Sequence, residues 1–234
     1  MFAPKPLALS LALAIYGTAA LAQTGALEEV IVTAQKRSES LQDVPVAVNA
    51  FSSDTIQEAG INDTSDLAFM TPSLNANANS SPFTTRLTIR GIGTAQADPA
   101  LEPSVGMFVD GVFMGRTGLG TADLTDIERI EVLQGPQGTL YGKNANAGAI
   151  SIITRRPNLE EFEGYVEASV GNYGMGKLTG TASGPLGNTV AYRLSGNVHQ
   201  RDGYYDNNAS GIDDQNDADD WNLQGKLLWD ATDR

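Results

Sequence analysis

The chain has 234 residues, a formal net charge of -13 at pH 7, no cysteine and one histidine. This length is sufficient for one or two domains with a hydrophobic core, and the acidic balance, without clusters of Lys and Arg, argues against nucleic-acid binding. Because cysteine is absent, disulfide frameworks, thiol nucleophiles and thiolate metal sites are all excluded.

The first 22 residues have the pattern of a secretion signal. Lys5 supplies a positive charge, Leu7–Ile15 is an apolar run, and Ala20-Leu21-Ala22 has the small-x-small pattern that signal peptidase recognises. We expect cleavage after Ala22; a buried N-terminal helix is the alternative. The apolar run is too short to cross a bilayer, and no longer run follows it. An exported protein of this kind is periplasmic, secreted or a membrane β-barrel.

A short β-prone segment follows the predicted cleavage site. After a polar lead at residues 23–27, Glu28 and Glu29 precede the run Val30–Ala34, whose sequence is VIVTA. Val and Ile favour extended structure, so this run is predicted to be a strand. Residues 35–43 are polar and charged, and they are predicted to form a linker.

Residues 44–157 have the composition of a small domain that mixes helices and strands. Two short helices are predicted, one over Thr55–Ala59, capped by Ser53 or Asp54, and one that must end before Pro72. Strands are predicted at residues 87–91, 107–111, 127–133 and 149–154. The second of these strands ends in an Asp-Gly pair, which is typical of a tight hairpin turn.

Beyond residue 157 the chain alternates strictly between polar and apolar residues. In the run 191–199 one face carries the four polar residues Arg193, Ser195, Asn197 and His199, and the run 221–230 alternates in the same way. A soluble β-sandwich would also alternate, with its apolar face inward, so alternation alone leaves both interpretations open.

Two details favour a membrane β-barrel over a soluble sandwich. Trp221 and Trp229 lie at the two ends of one apolar face, about 26 Å apart along an extended strand, which suits a tilted strand between two aromatic girdles. Connection lengths also vary in the expected way: the turns at residues 171–176 and 185–189 are short, the polar stretch from Asp202 to Asp219 is long, and another tight turn follows at Asp230–Asp233. Outer-membrane barrels combine short periplasmic turns with longer outer loops.

Several runs together resemble the family of TonB-dependent outer-membrane receptors. They are LTIRG at 87–91, VDGV at 109–112, IERIEVLQGPQGTLYG at 127–142 and AISIIT at 149–154. The run EEVIVTA at 28–34 resembles the TonB box of the same family. The sequence departs from the family at Gln134, where a basic residue is frequent, and at Ala147-Gly148, where two glycines are common.

The resemblance implies four parts. They are a signal peptide at 1–22, a TonB box and linker at 23–43, a plug domain at 44–157, and the first strands of a truncated transmembrane β-barrel at 158–234. The fold class expected is therefore an α+β plug, with a small mixed sheet and short helices, followed by antiparallel barrel strands. About four strands cannot close a barrel, because an open edge in lipid leaves backbone groups unpaired.

The resemblance also implies a function. The protein is expected in the outer membrane of a Gram-negative bacterium, where it binds a scarce substrate, by default a ferric siderophore, and imports it with energy delivered by TonB. The alternative is a plug fragment, in the outer membrane or the periplasm, that binds without transporting. The expected partners are TonB, a small-molecule iron chelate and the lipid bilayer, with no nucleic acid, and the receptor is expected to be monomeric.

Neither an enzyme nor a cofactor or metal site is expected. The sequence has no Gly-x-Ser-x-Gly elbow, no paired histidines and no phosphate-binding loop with the required spacing. The acidic stretch from Asp202 to Asp220 could bind calcium, but its spacing matches no EF-hand, and a solvated outer loop is the preferred interpretation.

The expected site residues form three groups. The TonB-binding strand is expected to comprise Glu29, Val30, Ile31, Val32, Thr33 and Ala34, because an extended peptide can add to a partner's sheet through its main chain. Charged contacts between plug and barrel wall are expected from Arg90, Glu128, Arg129 and Glu131, with a solvated strand edge as the alternative. Substrate contacts are expected in two long polar loops, from Ser80, Phe83, Thr94 and Gln96.

Overall fold

The structure is a computed structural model that describes residues 30–77, 85–94, 101–115, 124–203, 205–206, 214–215 and 217–231. Its strands are β1 (Ile31–Val32), β2 (Glu39–Ser40), β3 (Val48–Ser52), β4 (Leu74–Asn77), β5 (Arg86–Ile89), β6 (Ile92–Gly93), β7 (Val105–Val109), β8 (Val112–Met114), β9 (Ile127–Gln134), β10 (Gly148–Thr154), β11 (Glu163–Val170), β12 (Gly176–Pro185), β13 (Val190–Arg201), β14 (Tyr205–Asp206), β15 (Asp214–Gln215) and β16 (Ala218–Trp229). Its helices are α1 (Ser53–Glu58), α2 (Leu67–Met70) and α3 (Gly138–Tyr141).

A mixed five-stranded sheet forms the centre of the plug. Its strand order is β3-β9-β10-β7-β8, and only β7 and β10 run parallel. The two central strands, β9 and β10, are largely buried, and most of their Ile, Val and Leu side chains lie in the core. Large core side chains come from these strands, from α1 and α2, from β5 and from β7; they include Ile56, Leu67, Ile89, Met107, Ile130 and Ile150.

Two predicted strands end two residues earlier than the sequence suggested. The pairs Arg90-Gly91 and Asp110-Gly111 all have positive φ, between 48° and 82°. Two successive residues in this conformation form a tight turn between antiparallel strands. The first pair therefore turns β5 into β6, and the second turns β7 into β8.

The two predicted helices are present, and the first begins two residues and ends one residue earlier than predicted. Helix α1 begins at Ser53 because the hydroxyl of Ser52, one residue earlier than predicted, accepts a 3.3 Å hydrogen bond from the Thr55 amide. Its end is followed by Gly60, whose φ is +66°. Helix α2 ends at Met70, ahead of Pro72 as expected. No helix in the described ranges is long and apolar enough to cross a membrane.

Beyond the plug, β11, β12, β13 and β16 form an antiparallel sheet in that order, which we call the wall strands. Their long, regular ladders include twelve aligned pairs between β13 and β16, from Val190 opposite Trp229 to Arg201 opposite Ala218. In the part of the chain that the structure describes, the sheet remains open at β11 and β16. The expected fold class, a plug followed by antiparallel strands of an incomplete barrel, is confirmed.

The orientation of the wall strands excludes the soluble sandwich. On β12 and β13 the polar face is buried, with Thr181, Ser183, Arg193, Ser195 and Asn197 almost inaccessible. Their apolar face is exposed, and Trp221 and Trp229 retain 77% and 72% of their accessible surface. A soluble sheet buries its apolar face, whereas a membrane strand turns it outward toward lipid.

Candidate functional site

The segment predicted to bind TonB, which we call the box segment (Val30–Ala34), is partly docked on the plug. Ile31 and Val32 pair with Ser40 and Glu39 to form a two-stranded hairpin. Val32 is fully buried and Ala34 nearly so, in a cluster with Phe108, Leu133, Ala145 and Ala149. Ile31 is 43% exposed. Glu29 lies outside the described residues.

The predicted linker is more ordered than its composition suggested. Residues 35–43 contain β2, and two backbone hydrogen bonds close turns around it, from the Lys36 amide to the Thr33 carbonyl at 2.8 Å and from the Asp43 amide to the Ser40 carbonyl at 2.9 Å. Lys36 has a positive φ of 58°, which reverses the chain between β1 and β2. The segment therefore folds back on the box segment and is not extended as a linker in this state.

The side chain of Glu131 holds the box segment at Thr33. Its Oε1 accepts hydrogen bonds from the Thr33 amide at 2.7 Å, the Thr33 hydroxyl at 3.1 Å and Arg129 Nε at 2.9 Å. Arg129 Nη2 also donates to the Thr33 hydroxyl at 3.3 Å, and Arg129 Nη1 pairs with Glu128. Glu131 is fully buried, and a buried carboxylate is tolerated only when it is paired and hydrogen-bonded.

Three of the residues predicted to face the barrel wall thus meet at the box segment. Arg129 and Glu131 are two residues apart on β9, so their side chains lie on one face of the strand and contact each other. Arg90, the fourth predicted residue, donates from Nε to Gln134 Oε1 at 3.2 Å, and Gln134 donates to Asn49 Oδ1 at 2.6 Å. Contacts of these residues with further barrel strands remain a prediction.

At Gln134 the structure explains the departure from the family pattern. A basic residue at this position would carry the same charge as the neighbouring Arg90, whereas the amide oxygen of Gln134 accepts its hydrogen bond. Gln134 therefore ties the turn after β5 to the end of β9 without adding charge.

A buried ion pair that sequence reasoning missed joins the plug to the wall strands. Arg193 of β13, with a side chain only 2% exposed, donates from Nε and Nη2 to both carboxylate oxygens of Asp126 at 2.5 Å, and from Nη1 to Glu163 at 2.5 Å. This bidentate geometry gives a charge-assisted pair both strength and direction. The sequence placed Arg193 on the polar face of its strand but gave no indication of its partner.

A second contact joins the wall strands to the β7–β8 turn. Lys226 Nζ lies 3.0 Å from Asp110 Oδ2, donates to the Arg155 carbonyl at 3.1 Å and bonds the Thr154 hydroxyl. The Asp110 carboxylate also accepts from the Thr154 amide at 2.9 Å and its hydroxyl at 2.7 Å. Burial acts to raise the pKa of Asp110, but these hydrogen bonds from Thr154 and Lys226 outweigh it, so that pKa lies below its usual range.

Of the residues predicted to contact substrate, only Thr94 is described; Ser80, Phe83 and Gln96 lie outside the described residues. The Thr94 hydroxyl donates to the Glu102 carbonyl at 3.0 Å and accepts from the Ser104 amide at 2.9 Å, so it closes the base of its loop. A role in substrate binding stays a prediction. Within the described ranges, no three His, Asp or Glu side chains are grouped as a metal site would require.

Comparison with known proteins agrees with this geometry. A family model described as the TonB-dependent Receptor Plug Domain matches residues 40–149. The pesticin receptor of Yersinia pestis is 34% identical over 197 residues, which are 82% of this chain and 29% of that receptor. The iron-regulated outer membrane virulence protein of Vibrio cholerae is 29% identical over 220 residues, 86% of this chain and 32% of that protein.

Among solved structures, the ferric yersiniabactin uptake receptor FyuA of Yersinia pestis is similar with a TM-score of 0.73 and 29% identity, over 79% of this chain and 29% of that chain. The chain spans less than a third of the length of the curated relatives it matches. These homologues are outer-membrane receptors, which places this chain in the outer membrane. With a plug sequence matched over residues 40–149 and a similar arrangement of plug and strands in FyuA, the chain belongs to the family of TonB-dependent receptors.

Proposed function

We propose that the complete protein binds an iron chelate of the siderophore type at the cell surface and imports it into the periplasm, using energy that TonB delivers through the box segment. One observation carries the proposal: strand β9 links the docked box segment to the wall. Glu131 on this strand holds Thr33, and Asp126, directly before the strand, holds Arg193 of the wall. No chemical change of the substrate is assigned to the chain.

The mechanical argument follows from this arrangement. Asp126 and Glu131 are five residues apart, about 16 Å along an extended strand. A pull on the box segment therefore acts on a strand that is anchored to the wall at its beginning. The covalent chain transmits that force to the plug. Whether the plug moves as one body or unfolds locally, starting at the box segment, then depends on the Asp126–Arg193 ion pair.

The substrate class is supported by the relatives. FyuA is described as a ferric yersiniabactin uptake receptor, and the relative from Vibrio cholerae as iron-regulated. An iron chelate is the substrate that fits both descriptions. The lipid bilayer is the proposed environment of the exposed apolar face of the wall strands, because that face carries Trp221, Leu223, Leu227 and Trp229.

Deletion of Val30–Ala34 from the complete receptor tests the proposal. Uptake of a radiolabelled ferric siderophore by whole cells should be lost, whereas binding of the same chelate at the surface should remain. Ile31→Pro should act like the deletion, because proline lacks the N–H that strand pairing with TonB requires. Ile31→Ala is the matched control and should transport normally, since it keeps the main-chain N–H and changes a side chain that is 43% exposed. Uptake that survives the deletion would overturn the TonB-coupled function.

A further inference from the structure

The polar face of the wall strands changes its character along the strands. At one level Ser183, Arg193 and Lys226 lie opposite one another on β12, β13 and β16. Each of these three side chains bonds the plug or the segment directly after it, so we call them the anchor row. The plug is therefore held against the wall at this level.

Six positions further along β13 the same face is charged and open. His199 lies opposite Lys177 of β12 and Asp220 of β16, and we call these three residues the mouth row. The side chain of His199 is 25% exposed and that of Asp220 is 66% exposed. The mouth row lies about 20 Å from the anchor row along the strand, on the side of the predicted outer loop that begins at Asp202. Solvent reaches the face at the mouth row, whereas Arg193 in the anchor row is closed off.

A closed and uncharged layer separates the two rows. It consists of neutral polar side chains on three adjacent strands, which we call the neutral layer: Thr179, Thr181, Ser195, Asn197, Asn222 and Gln224. Its members on β12 and β13 are almost inaccessible, and Ser195 and Asn197 are 2% and 5% exposed. Within the described wall strands, the one charge at this level is the exposed Glu167 on the outlying strand β11, opposite Thr179.

Three polar atoms of the neutral layer are buried without a hydrogen-bond partner in the described part of the chain. They are Nδ2 and Oδ1 of Asn197 and Oγ1 of Thr181. The two residues are diagonal neighbours on one face, since Thr181 lies opposite Ser195 and Thr179 opposite Asn197. Buried polar atoms in proteins are nearly always bonded, so three unpartnered atoms in one place indicate that their partner is water or a ligand.

The position of the anchor row allows the neutral layer to open. If the plug tilts about the anchor row, the Arg193–Asp126 pair stays intact, while plug and wall separate at Asn197 and Thr181, which have no bond to lose there. The gap widens toward the mouth row, from which solvent and ligand enter. Because the unpartnered atoms cost free energy in the closed state, a ligand that bonds them favours the open state.

We propose that the neutral layer is a second binding subsite for the iron chelate, closed in this structure, which opens when the chelate enters from the mouth row. The chemistry of the layer selects the part of the chelate that it binds. The Asn197 amide and the Thr181 hydroxyl can bond neutral amide, hydroxyl and carbonyl groups, whereas an ionised carboxylate would be buried there without a counter-ion. This inference rests on the proposed function and adds a binding site to it.

Replacement of Asn197 tests the subsite in the purified complete receptor. Asn197→Leu removes the amide at similar volume, and Thr181→Val removes the hydroxyl in the same way. Asn188→Leu is the matched control, because Asn188 is exposed in the turn between β12 and β13. Binding is measured with radiolabelled ferric chelates of three chemical classes: a trihydroxamate, a tris-catecholate and a hydroxycarboxylate. The rate of plug proteolysis is measured on the same samples.

For each chelate that the parent binds, Asn197→Leu should raise the Kd about tenfold, because a hydrogen bond to the ligand is lost. Thr181→Val should raise the Kd in the same direction, and Asn188→Leu should match the parent. The plug of Asn197→Leu should be cleaved no faster than that of the parent, since the amide has no partner in the closed state. A purely structural role would instead weaken the plug and the binding together.

Equal affinities of the parent, Asn197→Leu and Thr181→Val would overturn the subsite and leave the proposed function standing. Faster plug cleavage in Asn197→Leu with an unchanged Kd would also overturn it, because the amide would then be bonded to ordered water in the closed state. If Asn197→Leu does not fold, Thr181→Val decides by the same two measurements. A parent that binds none of the three chelates contradicts the proposed function, and the subsite falls with it.

Discussion

The pair between Asp126 and Arg193 offers the sharpest test of how the plug is anchored. Asp126→Asn removes a charge from a pair in which Arg193 is 2% exposed and makes two of its three carboxylate bonds to Asp126. Removing one partner of a buried pair costs about 3–5 kcal/mol. Glu163 remains as a partner but is partly exposed, so we expect a loss near the lower limit, about 3 kcal/mol.

The assay is limited proteolysis of the plug in the detergent-solubilised complete receptor. When opening is fast relative to cleavage, the cleavage rate follows the population of the open state, so about 3 kcal/mol should raise it roughly a hundredfold. Asp54→Asn, an exposed residue of helix α1, is the control and should change the free energy by no more than about 0.5 kcal/mol.

A double-mutant cycle provides the refutation. Arg193→Met removes the same pair from the other side, so the cost of the double variant should be well below the sum of the two single costs. The reasoning is refuted if the Asp126→Asn variant is cleaved at the parent rate, or if the free-energy costs of the two single variants simply add. In either case the ion pair does not anchor the plug, and β9 is not held to the wall at its beginning.

Two further predictions concern pH and backbone packing. Hydrogen bonds lower the pKa of Asp110 despite burial, so its contact stabilises the plug fully above the unfolded pKa of about 3.9, and this stabilisation is lost as the pH falls through the lower folded pKa. The rate of plug cleavage should therefore rise at acid pH in the parent and rise less in Asp110→Asn. Identical acid profiles of the two proteins would contradict this prediction. A Cβ at Gly148 would lie 2.3 Å from the Leu133 carbonyl oxygen, so Gly148→Ala should lower the free energy of unfolding by about 2 kcal/mol or more. Gly138 has open space around it, so Gly138→Ala should not lower this free energy. The denaturant midpoints of the two variants test the prediction, and equal midpoints would contradict it.

Local pattern was sufficient to predict the elements of the fold. Alternation with a period of two identified β13 and β16 and placed Arg193 and Lys226 on their polar faces, because side chains alternate across any strand. The runs at residues 127–133 and 149–154 were predicted as strands, and the structure has them as β9 and β10. The pattern did not predict whether the polar face points toward the plug or away from it. The burial of Arg193 in the structure shows that the polar face points toward the plug.

The contacts that make the candidate site were not predictable, because they join residues far apart in the chain. Thr33 and Glu131 are separated by 98 positions, and Asp126 and Arg193 by 67. Charge and spacing predicted that Glu131 would contact something charged, but not that its first partner would be a backbone amide of the box segment. Residues 35–43 were interpreted as a linker because they are polar, and composition carries no information about the turn at Lys36.

The most direct test of the central claim is an immunoblot of native outer membranes with an antibody against residues 44–157. A receptor barrel of about 22 strands with loops implies a chain on the order of 700 residues. We expect a heat-modifiable band of that size in the outer-membrane fraction, which would make this sequence the front part of a transporter. A band only as large as this chain, in the soluble periplasm, would contradict the account, because a plug without its barrel cannot import anything.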